Sequence, residues 1–156
     1  MDAVILFSHG SLLCGSGQAL EMHASRLMRH GVAPIVEVGY LNYSEPLFAE
    51  AVAKCVAAGA SRIIVAPYFL VPGYFVNVDL PKCVDAARQD HPDTLFIVAE
   101  PIGFDERLAD ALLTSAASAA TADNWREDLR SASAFCRPDP RCPLYGTPSC
   151  PKHPLP

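Results

Sequence analysis

Ala3-Val4-Ile5-Leu6-Phe7-Ser8-His9-Gly10-Ser11 decides the fold. Five apolar residues in a row suit a strand covered on both faces, because a strand with one wet face alternates apolar and polar side chains. The run ends in Ser-His-Gly, so an imidazole sits at the strand's carboxyl end. In open parallel α/β sheets, ligands bind at that edge.

Three further apolar segments alternate with helical patterns. Strands are expected at about 35–40, 62–69 and 95–99, and helices at about 17–30, 46–58, 80–89 and 105–120. Asp79 suits the N-cap and Pro81 the first position of the third helix. This alternation predicts a four-stranded parallel sheet of order 2-1-3-4 with helices on both faces. Strands one and three then lie side by side. Their exit loops, His9 on one and Gly73 to Asp79 on the other, would border a crevice. The composition changes after Ala120. Pro138, Pro140, Pro143, Pro148, Pro151, Pro154 and Pro156 exclude regular helix or central strand from the last segment. The expected division is an α/β domain over 1–120 and an irregular Cys/Pro-rich extension over 121–156.

The chain has 156 residues, 51% of them hydrophobic and 19% charged, which suits one folded core rather than disorder. A net charge of −5 argues against a general nucleic-acid binder. No apolar run approaches the roughly 20 residues of a membrane span. Met1-Asp2 leads straight into a strand, and the reading is a cytoplasmic protein. In that compartment Cys136, Cys142 and Cys150 read as metal or iron–sulfur ligands before disulfides.

His9 has two readings, a structural histidine at a strand end or a metal ligand and general base. Gly10 lets a large ligand approach the backbone, and Ser11 could hydrogen-bond a ligand carboxylate. Glu45 and Glu100 fall near the ends of strands two and four. With His9, either would make a hard, partly open divalent-metal site. The alternative for Glu45 is a helix N-terminal charge. Gly15-Ser16-Gly17 lacks the third glycine of a dinucleotide fingerprint, since Leu20 stands there. His23, His30 and His91 read as structural or solvated.

Taken together, these motifs resemble the small CbiX/SirB-type class II chelatases. The resemblance rests on Val4 to Ser11, on Gly39-Tyr40-Leu41-Asn42-Tyr43-Ser44-Glu45-Pro46, on Val65 to Gly73 with Val76 to Pro81, and on Glu100-Pro101-Ile102-Gly103. It covers roughly residues 3–113. It implies a chelatase-like half-molecule that inserts Co2+ or Fe2+ into sirohydrochlorin, for cobalamin or sirohaem synthesis, and that works as a homodimer. It implies His9 as base and metal ligand, and a ring-binding cleft with Gly10, Ser11, Gly73, Tyr74, Phe75 and Asp79. Two positions depart from the family pattern. Phe75 stands where a second histidine is usual, and Asn42 where many members carry glutamate. Phe75 is expected to line the cleft rather than the core. These departures leave open a non-catalytic tetrapyrrole or metal carrier on the same fold, with a redox-sensing tail. Some relatives carry a cysteine-bound cluster near the carboxyl end. Cys136, Cys142, Cys150 and His153 are the corresponding candidates here for a [4Fe–4S] cluster or Zn2+.

Overall fold

The structure is a computed structural model, and it describes residues 1–119, 136 and 139–150. His153 lies outside the described residues. The elements run β1 (Asp2–Ser8), α1 (Gln18–Arg29), β2 (Ile35–Tyr40), α2 (Phe48–Ala57), β3 (Arg62–Pro67), α3 (Leu80–Asp90), β4 (Leu95–Val98) and α4 (Glu106–Ala117). The strands form one parallel sheet of order β2-β1-β3-β4, as the alternation of apolar runs predicts.

Each central strand buries both faces. Ala3, Ile5 and Phe7 join Ile63, Val65 and Phe96 under α2 and α3, which contribute Phe48, Val52, Leu80 and Val84. Val4, Leu6, Val36 and Val38 pack with Leu20 and Ala24 of α1 on the opposite face. Gly39 brings α2 close to the sheet. A Cβ there would lie 3.1 Å from Ile5 Cγ2 and 3.2 Å from the Phe48 Cα. Phe7 is fully buried and meets Phe48 edge-on, with ring centroids 5.5 Å apart. Removing so large a buried side chain costs about 3–5 kcal/mol, so this column anchors the strand that carries His9.

The chain forms two compact units. One holds Met1–Ser11 and Gly17–Gly103, and the other holds Leu12–Ser16 with the chain from Phe104 onward. The sequence places the division at 120, whereas contacts group α4 with the tail. Asp105 caps α4 by accepting the Arg107 N–H at 2.8 Å. The Arg107 guanidinium also grips that carboxylate and holds its pKa down at about 2.

The third helix differs from expectation. A π-helical turn over Phe75–Asp79 runs directly into α3. Asp79 therefore has helical backbone angles and makes no side-chain cap, contrary to the N-cap expected of it. Its carboxylate instead pairs with Lys82 at 3.5 Å, one turn along.

Candidate active site

The carboxyl ends of β1, β2 and β3 lie level, with Ser8 beside Tyr40 and Phe7 beside Pro67. The pairing continues beyond the strands. Leu41 N–H donates to the Ser8 carbonyl and Asn42 N–H to the His9 carbonyl, both at 2.9 Å. On the other side Tyr68 N–H donates to the Phe7 carbonyl at 2.7 Å. His9 is thus held between the segments leaving β2 and β3.

Gly10 makes this arrangement possible. Its φ is +87°, and a Cβ would lie 1.8 Å from the Asn42 carbonyl oxygen. No other residue fits that close approach. Ser11 is latched to the same segment. Its N–H donates to Ser44 Oγ at 3.0 Å, and that hydroxyl donates back to the Ser11 carbonyl at 3.2 Å.

The His9 ring is oriented from below. Nδ1 lies 3.1 Å from the Gly10 carbonyl. A carbonyl only accepts, so this bond puts the ring proton on Nδ1 and leaves the Nε2 lone pair to bind a metal or take a proton. Two aromatic rings flank the imidazole. Phe75 lies 4.2 Å away, centroid to centroid and tilted by 40°, and Tyr43 lies 5.5 Å away. Phe75 also meets Phe69 at 6.3 Å, and Phe69 meets Phe7 at 6.1 Å. An aromatic column therefore runs from the core to His9. Phe75 is 37% exposed, so it belongs to the site's wall rather than to the core.

The β3–α3 loop completes the wall. Asn77 Nδ2 donates to the Pro72 carbonyl at 2.8 Å, and the Gly73 carbonyl accepts the Val76 and Asn77 N–H groups. The bonded loop holds Val71 and Tyr74 outward, 73% and 64% exposed. Exposed apolar surface of this kind is characteristic of ligand or partner contact.

The two carboxylates do not complete a three-ligand set with His9. Among the described residues no group of three or more His, Cys, Asp and Glu side chains is arranged to hold a metal. His9, Glu45 and Glu100 together therefore do not form a three-ligand set among the described residues. Glu45 is exposed in the turn before α2. Glu100 follows β4, which β3 separates from β1, a distance of two strand spacings or about 10 Å. Asp79 is likewise engaged with Lys82. Tyr43, Ser44 and Asn77 were absent from the expected site. Tyr43 and Ser44 lie within the motif from Gly39 to Pro46, but their roles follow from backbone pairing that a motif does not reveal.

Cys136, Cys142 and Cys150 do not gather as a metal-holding group among the described residues. A hydrogen bond from the Cys14 backbone holds the Cys142 thiol below its ordinary value.

The CbiX family model matches residues 3–119. The chain is 31% identical over 140 residues to the sirohydrochlorin cobaltochelatase of Methanocaldococcus jannaschii, a match covering 74% of this chain and 98% of that protein. It is 34% identical over 119 residues to the sirohydrochlorin cobaltochelatase of Sulfolobus acidocaldarius, covering 76% of this chain and 93% of the relative. Among solved structures, the sirohydrochlorin chelatase SirB from Bacillus subtilis subspecies spizizenii, in complex with cobalt, superposes with a TM-score of 0.68 at 26% identity. That match covers 72% of this chain and 48% of the SirB chain. By the extent of the family match and by its similarity to these proteins, the chain belongs to the CbiX family.

Proposed function

We propose that the protein inserts a divalent metal, Co2+ or Fe2+, into sirohydrochlorin, with His9 as the working residue. The observation that carries this is the His9 imidazole, placed at the sheet's carboxyl edge with Nδ1 on the Gly10 carbonyl and Nε2 available. Metal insertion must bring the ion to one face of the ring and remove two pyrrole protons. A single imidazole serves either need, since its lone pair binds the ion or accepts a proton. One imidazole holds a divalent ion weakly and releases it readily, as delivery requires. Phe75 and Tyr74 offer flat apolar surface for the macrocycle, and Gly10, Ser11 and Gly73 let it approach the backbone. The metal is a substrate here. A single imidazole nitrogen does not select among cobalt, iron and nickel, so supply decides.

The names of the relatives support this reading, as does the nearly full-length match to the archaeal cobaltochelatases. Coverage of about half of SirB supports a homodimer, in which two copies make up one long chelatase. A cytoplasmic reaction is in keeping with the absence of disulfides among the described cysteines. No described helix is long and apolar enough to cross a membrane.

The test is an anaerobic metallation assay with purified protein, sirohydrochlorin and each metal in turn, followed by the absorbance of the ring. Insertion of at least one metal faster than the spontaneous reaction is expected. Spontaneous rates with every metal would overturn the assignment.

A further inference from the structure

The carboxyl edge of the sheet has a second wall, on the face opposite the His9 column. Side chains alternate across a strand. Phe7 and Phe69 belong to the α2 and α3 face, whereas Leu6 and Ala66 pack on the α1 face. Tyr68 continues the α1 side two residues beyond Ala66, and its ring meets His23 of α1 with centroids 5.6 Å apart and a tilt of 41°. Its N–H donates to the Phe7 carbonyl at 2.7 Å. That bond sets Tyr68 one strand spacing, about 4.8 Å, from the strand that carries His9. Tyr68 is 42% exposed and His23 is exposed as well, so neither ring of the pair is spent on core packing.

Charge distinguishes this wall. Sirohydrochlorin carries carboxylate arms and the chain has a net charge of −5, so the cations that meet the ring must be local. Lys54, Arg62, Lys82, Arg88 and Arg107 are each held by an Asp or Glu. Arg26 is exposed, lies three residues along α1 from His23 and makes no ion pair with a described residue. Residues three apart are neighbours on a helix surface, and helical side chains lean toward the helix N-terminus. For α1 that end is the sheet's carboxyl edge, since the Gly17 carbonyl accepts the hydroxyl of Tyr40, the last residue of β2, at 3.3 Å. Glu21, in the first turn of α1, acts on Tyr40, whose phenol is pushed up to about 12 by burial first and by this carboxylate second.

We propose that His23, Arg26 and Tyr68 form a carboxylate-binding subsite that holds one arm of the macrocycle. The inference rests on sirohydrochlorin being the substrate. The Arg26 guanidinium supplies the charge, and the His23 ring N–H and the Tyr68 hydroxyl donate hydrogen bonds to the carboxylate oxygens. The Tyr68 ring steadies the imidazole. Phe75 offers the flat surface on one face of the sheet edge, and an arm anchored on the other face fixes how the ring is turned about His9.

The test is an anaerobic fluorescence titration of sirohydrochlorin with the full chain and no added metal. His23→Ala, Arg26→Gln and Tyr68→Phe change exposed side chains, and unchanged melting temperatures check that the variants fold. His23→Ala and Arg26→Gln should each weaken ring binding about tenfold, the scale of one hydrogen bond to a charged group. Tyr68→Phe keeps the ring contact and should weaken binding less. Arg26→Gln should also flatten the dependence of affinity on salt. Arg29→Gln, on the same helix but outside the cluster, should bind as the wild type does. Wild-type affinity in His23→Ala or Arg26→Gln would overturn the subsite and leave the metal-insertion reading standing. Equal weakening by Arg29→Gln would also overturn it, by reducing the effect to the overall charge of α1. A wild-type protein that does not bind sirohydrochlorin would overturn both.

Discussion

His9 and Cys142 are both aimed by the backbone, but by opposite groups. A carbonyl takes the His9 Nδ1 proton, so the ring presents a lone pair at Nε2. N–H groups converge on the Cys142 sulfur, so it is favoured as an anion. The first arrangement suits an ion that must come and go, and the second favours a negative charge held in place. They also differ in what holds them. His9 rests on a strand paired on both sides and on the column Phe75, Phe69, Phe7. Cys142 rests on the consecutive turns of residues 140–149. A reactive side chain can thus be placed by a layered core or by a few turns, and the two should respond differently to substitution.

The largest effect is expected at the imidazole. His9→Ala should lower the rate of metal insertion by about 10²–10⁴-fold, the usual scale for losing a positioned acid–base group. Thermal melting should be nearly unchanged, because the half-buried ring fills no core position. A melting temperature that falls along with activity would mean that His9 holds the fold rather than the chemistry.

Gly10→Ala should harm fold and activity together. Backbone strain at its positive φ costs roughly 1–3 kcal/mol, and the collision with the Asn42 carbonyl adds to it. Denaturant unfolding should show the loss, and wild-type stability would mean that the loop after β1 takes another course.

Phe75→His would place a second imidazole 4.2 Å, ring to ring, from the first. Calorimetry should then show tighter Co2+ binding, on the order of tenfold or about 1.4 kcal/mol. Unchanged affinity would separate Phe75 from His9.

Ser44→Ala should give the smallest change. It removes the two bonds that latch Ser11, worth about 1 kcal/mol each at most. Stability should fall slightly, and the apparent affinity for the ring more clearly.

What the sequence revealed follows the same divide between core and turns. The apolar runs at Ala3–Phe7 and Ile63–Val65 give the sheet order, because parallel strands must bury both faces and cross over right-handed. The place of His9 follows directly. Phe75 was found through its position in a motif, and the structure sets it against the imidazole. The π-helical turn left no mark, since Phe75 to Asp79 reads equally well as loop. Glu45 and Glu100 both stand near strand ends, and a strand end alone does not fix distance across the sheet. The tail follows a long stretch without periodicity. Composition there reveals thiols but not which of them meet.

The central claim is that one oriented imidazole suffices for metal insertion. It is tested most directly by forming the protein–sirohydrochlorin complex anaerobically, mixing it rapidly with Co2+, and comparing the rate with free sirohydrochlorin at the same concentrations. The account predicts that the bound ring takes up metal faster than the free ring, with the advantage absent in His9→Ala. A bound ring that is metallated no faster than the free one would contradict it and make the protein a carrier.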